Sequence, residues 1–168
     1  MTTLFAQPYD ISARGFYFDT ASEYSAKAVK LKNDYGQAVE EFEIQFIDGE
    51  YLDAKLFEAL GVNQANHESF LEAATDWNDD EKIKVIIAVG EVGYKFKLGD
   101  DMPDQFEVEL YQADSLADLA AQFVEEGLYG EIPEPLRNYI DYDAIARDLS
   151  VEYGETQLDG ARYIYRCG

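Results

Sequence analysis

Among 168 residues there is one cysteine, one histidine, four prolines and only 13 lysines and arginines. Each shortage excludes a class of chemistry. Cys167, one residue from the end, has no partner for an internal disulfide and no surroundings that could orient a base beside it. It reads as an incidental exposed thiol. His67 stands a hundred residues away, so a zinc site lacks ligands. Placed in the first turn of an expected helix beside Glu68, His67 reads as a surface residue.

Long apolar runs are also missing. The longest, Val85–Val89, falls far short of the roughly 20 residues that span a bilayer. The stretch from Met1 to Phe18 has no basic start followed by an apolar run, so a cytoplasmic protein without membrane contact is expected. The glycines at 90, 93, 127 and 130 build neither G-x-x-x-x-G-K-[ST] nor G-x-G-x-x-G, and no G-x-S-x-G occurs. Asp76, Asn78 and Asp80 copy the start of a calcium loop. Glu81 then stands where glycine is required, and Ile87 where the bidentate glutamate belongs. No cofactor, metal or catalytic site is expected, and carboxylate pairs among 35 acids arise by chance.

What is abundant is negative charge. Thirty-five Asp and Glu give a net charge of −22, whereas a small domain usually carries about 2–8 charges of either sign. Self-repulsion at this level opposes compaction. The excess is not a tail: residues 1–60 carry −6, residues 61–103 carry −5 and residues 104–168 carry −11, and the longest acid run is Asp79-Asp80-Glu81. With 47% hydrophobic residues a core can form, so the charge belongs to a folded surface. Duplex DNA carries one charge per about 1.7 Å of axis, so this net charge matches about 37 Å of duplex.

Periodicity predicts an α+β chain of small mixed α/β units, with short antiparallel sheets at both ends and a helical middle. The unit boundaries are expected at 1–61, 62–103 and 104–168. Gly15–Asp19 reads as a strand. A helix is expected over Ser22–Tyr35, its buried stripe being Tyr24, Ala28, Leu31 and Tyr35, with Gly36 as its stop. Phe42, Ile44 and Phe46 alternate inward against Glu43 and Gln45.

Asp53–Leu60 forms a helix ended by Gly61, and Asn66 opens another through Phe70, Leu71 and Ala74. Asn78 and Glu81 make an N-x-x-E start for a helix through Ile83, Ile86 and Ile87, although Lys84–Val89 is β-branched enough for a buried strand. In the last unit Phe106, Val108 and Leu110 face inward while Glu107 and Glu109 face out. Ser115 and Asp118 start a helix through Leu116, Leu119, Ala120, Phe123 and Val124. A short turn or helix from Pro133, a helix over Tyr142–Leu149 and a strand over Tyr163–Arg166 complete it.

From Gly127 to Leu149 the chain reads Gly-Leu-Tyr-Gly-Glu-Ile-Pro-Glu-Pro-Leu-Arg-Asn-Tyr-Ile-Asp-Tyr-Asp-Ala-Ile-Ala-Arg-Asp-Leu. Gly130, Glu131, Ile132, Pro133, Leu136, Tyr139, Ile140, Asp141, Tyr142, Ala146, Arg147, Asp148 and Leu149 coincide with a fixed pattern, and the stretch resembles the antirestriction motif of the ArdA family. The resemblance implies an elongated antirestriction protein encoded on a mobile element. It would be a homodimer that imitates bent duplex DNA, binds no DNA itself, and blocks the methyltransferase core of type I restriction–modification enzymes.

On that reading the acidic surface includes Glu107, Glu109, Asp114, Asp118, Glu125, Glu126, Glu131, Glu134, Asp141, Asp143 and Asp148. Tyr129, Ile132, Leu136, Tyr139, Ile140, Tyr142 and Arg147 are either core of the motif or a dimer interface, where aromatics and Arg are enriched. The competing functions are an acidic regulatory module for another basic DNA-binding protein, such as a nucleoid protein, and a carboxylate hydrolase.

Overall fold

A computed structural model describes all 168 residues. The chain divides into two compact units, Met1–Phe106 and Glu107–Gly168, each with its own three-stranded antiparallel sheet. No helix is long and apolar enough to cross a membrane.

In the first unit β1 (Thr3–Pro8) lies between β2 (Phe16–Phe18) and β3 (Phe42–Asp48). Alternation along β1 buries Leu4 and Ala6 on one face. Leu4 pairs with Phe18 and Phe46, and Ala6 with Phe16 and Ile44. Gly15 leads into β2 because a Cβ there would lie 2.5 Å from the carbonyl oxygen of Ala6 and closer still to the Phe5 ring. The central strand β1 is absent from the sequence expectation, whereas β2 and β3 are where the patterning places them.

Helix α1 runs only from Ala21 to Ala28, not to Tyr35. The reason is Asn33, whose Oδ1 accepts hydrogen bonds from the backbone N–H groups of Tyr35 and Gln37. This side-chain turn competes with helix continuation. Gly36, at φ +75°, closes the turn instead of capping a helix. Of the expected stripe only Tyr24 is buried, and Tyr35 is exposed.

Helices α2 (Tyr51–Leu60), α3 (His67–Asp76) and α4 (Asp79–Val85) follow. Gly61 ends α2 in the left-handed conformation at φ +59°. Asn78 and Glu81 form a reciprocal capping box at the start of α4. With that nucleus in place, 83–88 stays helical rather than extended. A π-helical turn, Ile86–Glu91, continues α4 and buries Ile86, Ile87 and Ala88. Residues of the expected middle share a core with the N-terminal sheet: the His67 ring lies 5.4 Å from that of Phe18 and 4.2 Å from that of Tyr24. His67 is therefore buried, correcting its expected place on the surface.

In the second unit β4 (Val108–Gln112) and β5 (Gly154–Leu158) flank β6 (Ala161–Cys167). Helix α5 (Leu116–Glu125) starts on Ser115, whose Oγ accepts from Asp118 N–H at 3.1 Å. Leu119 and Phe123 of α5 and Ile164 of β6 form the buried cluster, against which Tyr111, Leu149 and Tyr153 pack.

This corrects the expected facing of β4. Tyr111, cross-strand from Ile164, turns toward the helices, while Val108 and Leu110 stay half-buried on the opposite face. Phe106 is buried in the first unit, beside the rings of Tyr94 and Phe96. Strand β5 is a further addition to the expected elements. It turns into β6 at Asp159-Gly160, both at positive φ (50° and 76°), a two-residue hairpin turn that suits strand twist. Cys167, on β6, is half-buried rather than exposed, and burial pushes its thiol pKa up.

Candidate functional site

The second unit contains fourteen acids and four arginines but no lysine. Glu107, Glu109, Asp114, Asp118, Glu125, Glu126, Glu131, Glu134, Asp141, Asp143 and Asp148 are all exposed. Sequence reasoning omitted three further exposed acids of this unit, Glu152, Glu155 and Asp159, because they lie on or beside the unexpected hairpin or between elements. Their signal was only their charge.

Few of these carboxylates are neutralised. Glu109 meets Arg166 across the β4–β6 register, and Arg166 also reaches Glu152 at 3.1 Å. The guanidinium stands 5.3 Å from the centre of the Tyr153 ring, and the Tyr153 hydroxyl donates to Glu109 at 3.4 Å. The two carboxylates hold the Arg166 pKa above its ordinary value. Desolvation, and then the Glu109 charge, push the Tyr111 phenol up. Arg137 pairs with Glu134 at 3.2 Å within one helical turn, and Asp141 caps α6 (Tyr142–Leu149) by accepting from Ala144 N–H at 3.0 Å.

Arg162 donates to the Asp114 carbonyl, and Arg147 is exposed with no carboxylate partner. Glu125 and Glu126 close α5, where the helix dipole disfavours negative charge. Nothing in the local fold favours acids at that end.

The motif segment is built from turns. Helix α5 stops in a Schellman arrangement: Gly127 N–H donates to Val124 O and Leu128 N–H to Phe123 O. Gly127 and Gly130 take φ +80° and +88°, and Gly130 N–H donates back to Gly127 O. A 3₁₀ turn, Glu134–Tyr139, then leads into the Asp141 cap of α6.

Of the motif side chains, Tyr129, Leu136, Tyr139 and Arg147 are exposed, and Ile132, Ile140 and Tyr142 are half-buried. None of these seven reaches the interior. Tyr139 stands 83% exposed, and Leu128 and Val151 nearby in sequence are exposed as well. Leu149 alone among the fixed motif positions packs on the core cluster.

Three or more His, Cys, Asp or Glu side chains nowhere converge in an arrangement that could hold a metal ion. In the first unit a cavity of about 300 Å³ is lined by Asp19, Glu50, Asp53 and Thr75 among others. The buried Asp53 at its wall is paired with Lys82 rather than turned to a ligand.

Residues 14–161 match the family model described as antirestriction protein (ArdA). No curated protein matches the chain.

Proposed function

Because the chain belongs to the ArdA family of antirestriction proteins, we propose that it acts as a DNA mimic toward a type I restriction–modification enzyme. Its acidic surface occupies the DNA-binding groove of the methyltransferase core. Occupation blocks restriction, and it blocks modification to the extent that both reactions use the same groove. The protein catalyses nothing in this role. It works as a homodimer and does not itself bind duplex DNA, whose phosphates its own charge repels.

One observation carries this reading: every acid from Glu107 to Asp148 stands exposed, against four arginines in the same unit. When a groove lined by lysine and arginine binds a linear array of anions, the cations condensed on that array are released. An exposed carboxylate array draws on that same free energy without presenting a base or a scissile phosphate. The exposed apolar motif residues Tyr129, Leu136 and Tyr139 support a dimer through this segment, since they add nothing to the interior of their own unit. Two copies would double the charge-matched length to roughly 75 Å of duplex.

The test uses a purified type I enzyme, a labelled duplex containing its site, and assays of cleavage and of methyl transfer. The protein should displace the duplex and stop cleavage stoichiometrically. Its affinity should fall steeply between about 50 and 200 mM salt. Failure to displace the duplex, or a flat salt profile, would overturn the mimic.

A further inference from the structure

The first unit contains a surface of opposite character. Residues 24–33 hold Lys27, Lys30 and Lys32 and no acid. Lys27 is occupied by Glu23 at 2.6 Å and by the Tyr17 carbonyl at 2.7 Å. Lys30 and Lys32 are exposed and form no ion pair, as is Arg14 across the neighbouring loop. In a chain with 35 acids, unpaired cations in one place are not explained by charge balance.

Exposed apolar side chains lie on the same stretches of chain. Ile11 is fully exposed, Tyr9 is 65% exposed, and Val29 and Tyr35 stand out of the fold. Two loops carry them, 9–14 and 29–37, and hydrogen bonds join the two. Asp34 N–H donates to Ser12 O at 3.2 Å, and Asn33 Nδ2 donates to Asp10 at 2.9 Å. Each loop is also braced internally, by Ser12 on Asp10 and by Asn33 Oδ1 on Tyr35 and Gln37. The platform is pre-organised, which lowers the ordering cost of binding. Of the two acids on it, Asp10 is engaged by Asn33 and Ser12, and Asp34 is the one left.

We propose that the joined loops 9–14 and 29–37 form a second docking surface, cationic and apolar together. It binds a face of the same restriction enzyme that presents carboxylates and apolar side chains together, outside the basic groove. The inference rests on the DNA-mimic reading for the identity of the partner. Charge excludes the groove itself, because Lys30, Lys32 and Arg14 would meet lysine and arginine there. The aliphatic Ile11 and Val29 fit a protein face better than a phosphate backbone. A chain that gained affinity from negative charge alone would bind more tightly without these lysines.

The test follows from that sign. The variant I11S/K30E/K32E/Y35S changes exposed side chains only and moves the net charge from −22 to −26, two units for each reversed lysine. Affinity for the purified methyltransferase core is measured for wild type and variant at about 150 mM salt, with circular dichroism checking the fold. The variant should bind about tenfold more weakly, equivalent to about 1.4 kcal/mol. Equal or tighter binding overturns the docking surface and leaves the mimic intact. Failure of the wild type to bind overturns the mimic instead.

Two further outcomes reassign the occupant and overturn the proposal. One is self-association in light scattering that the variant loses while enzyme affinity holds. The other is wild-type binding to free duplex that the variant loses. Should the fourfold variant misfold, K30E/K32E carries the same test.

Discussion

Lys82 Nζ lies 2.7 Å from Asp53 Oδ1 inside the first unit, with both side chains almost wholly buried. The ammonium also donates to the Ala74 carbonyl at 2.9 Å, near the end of α3, so it joins α2, α3 and α4 at one point. Thr2 Oγ1 donates to the other carboxylate oxygen at 3.3 Å. In so acidic a chain this is a lysine spent on the interior.

Lys82→Ala should therefore destabilise the first unit by about 3–5 kcal/mol, because Asp53 is left buried without its counter-charge. The double change Asp53→Leu/Lys82→Met should recover most of that loss. Urea unfolding followed by the fluorescence of Trp77, which sits in this unit against Phe96, reads both variants. Equal losses for Lys82→Ala and the double variant would show that packing, not charge, is what Lys82 supplies.

His67 makes first-unit stability depend on pH. Its Nδ1–H donates to Gln64 O at 2.9 Å, and desolvation between Phe18 and Tyr24 lowers its pKa. The folded state therefore favours the neutral ring, while the unfolded chain takes up a proton near about pH 6.5. Stability from this group is complete above that pH and is lost as pH falls through the lower folded value. His67→Phe should flatten the curve of stability against pH between about 5 and 7 relative to wild type. Parallel curves would show that other groups set the dependence.

No single carboxylate of the second unit should dominate inhibition. Glu125→Gln or Asp118→Asn removes one of many exposed charges and should weaken binding less than about threefold. Neutralising six or more should weaken it progressively and make the salt dependence shallower with each charge removed. Loss of all inhibition from one amide change, with fold and oligomer intact, would point to a catalytic or ligand-binding acid.

Tyr139 tests the dimer. It is more exposed than Tyr129 or Leu136, so Tyr139→Asp leaves the interior of its own unit untouched. If the segment lies in the interface, light scattering should find a monomer with an unchanged circular dichroism spectrum. Inhibition should weaken, since each copy presents half the charge-matched length. A stable dimer in this variant would move the interface elsewhere.

Removing the Arg166 fork should matter modestly. Arg166→Gln leaves Glu109 and Glu152 unpaired at an exposed site, where such pairs are worth about 0–1 kcal/mol. The loss should shrink further in high salt. A drop of several kcal/mol in thermal unfolding would show that the stack on Tyr153 is the larger contribution.

The elements written in local patterns were legible in the sequence. The capping box of Asn78 and Glu81, the Gly61 stop, the Ser115 start and the alternation at Phe42–Phe46 each rest on residues within a few positions of one another. Charge was equally legible, because exposure of most acids follows from the cost of burying them.

Tertiary contacts decided the rest. β1 carries little periodic signal of its own and becomes the central strand only because β2 and β3 pair on either side. Asn33 looked like a helix residue until its side chain found Tyr35, Gln37 and Asp10 across a turn. His67 turned inward because Phe18 and Tyr24, more than forty residues away in sequence, enclose it. For the motif, the sequence supplied its identity, and the fold left its aromatic side chains in solvent or half-covered. Whether an apolar side chain is buried depends on what the rest of the chain brings to it. No local pattern contains that.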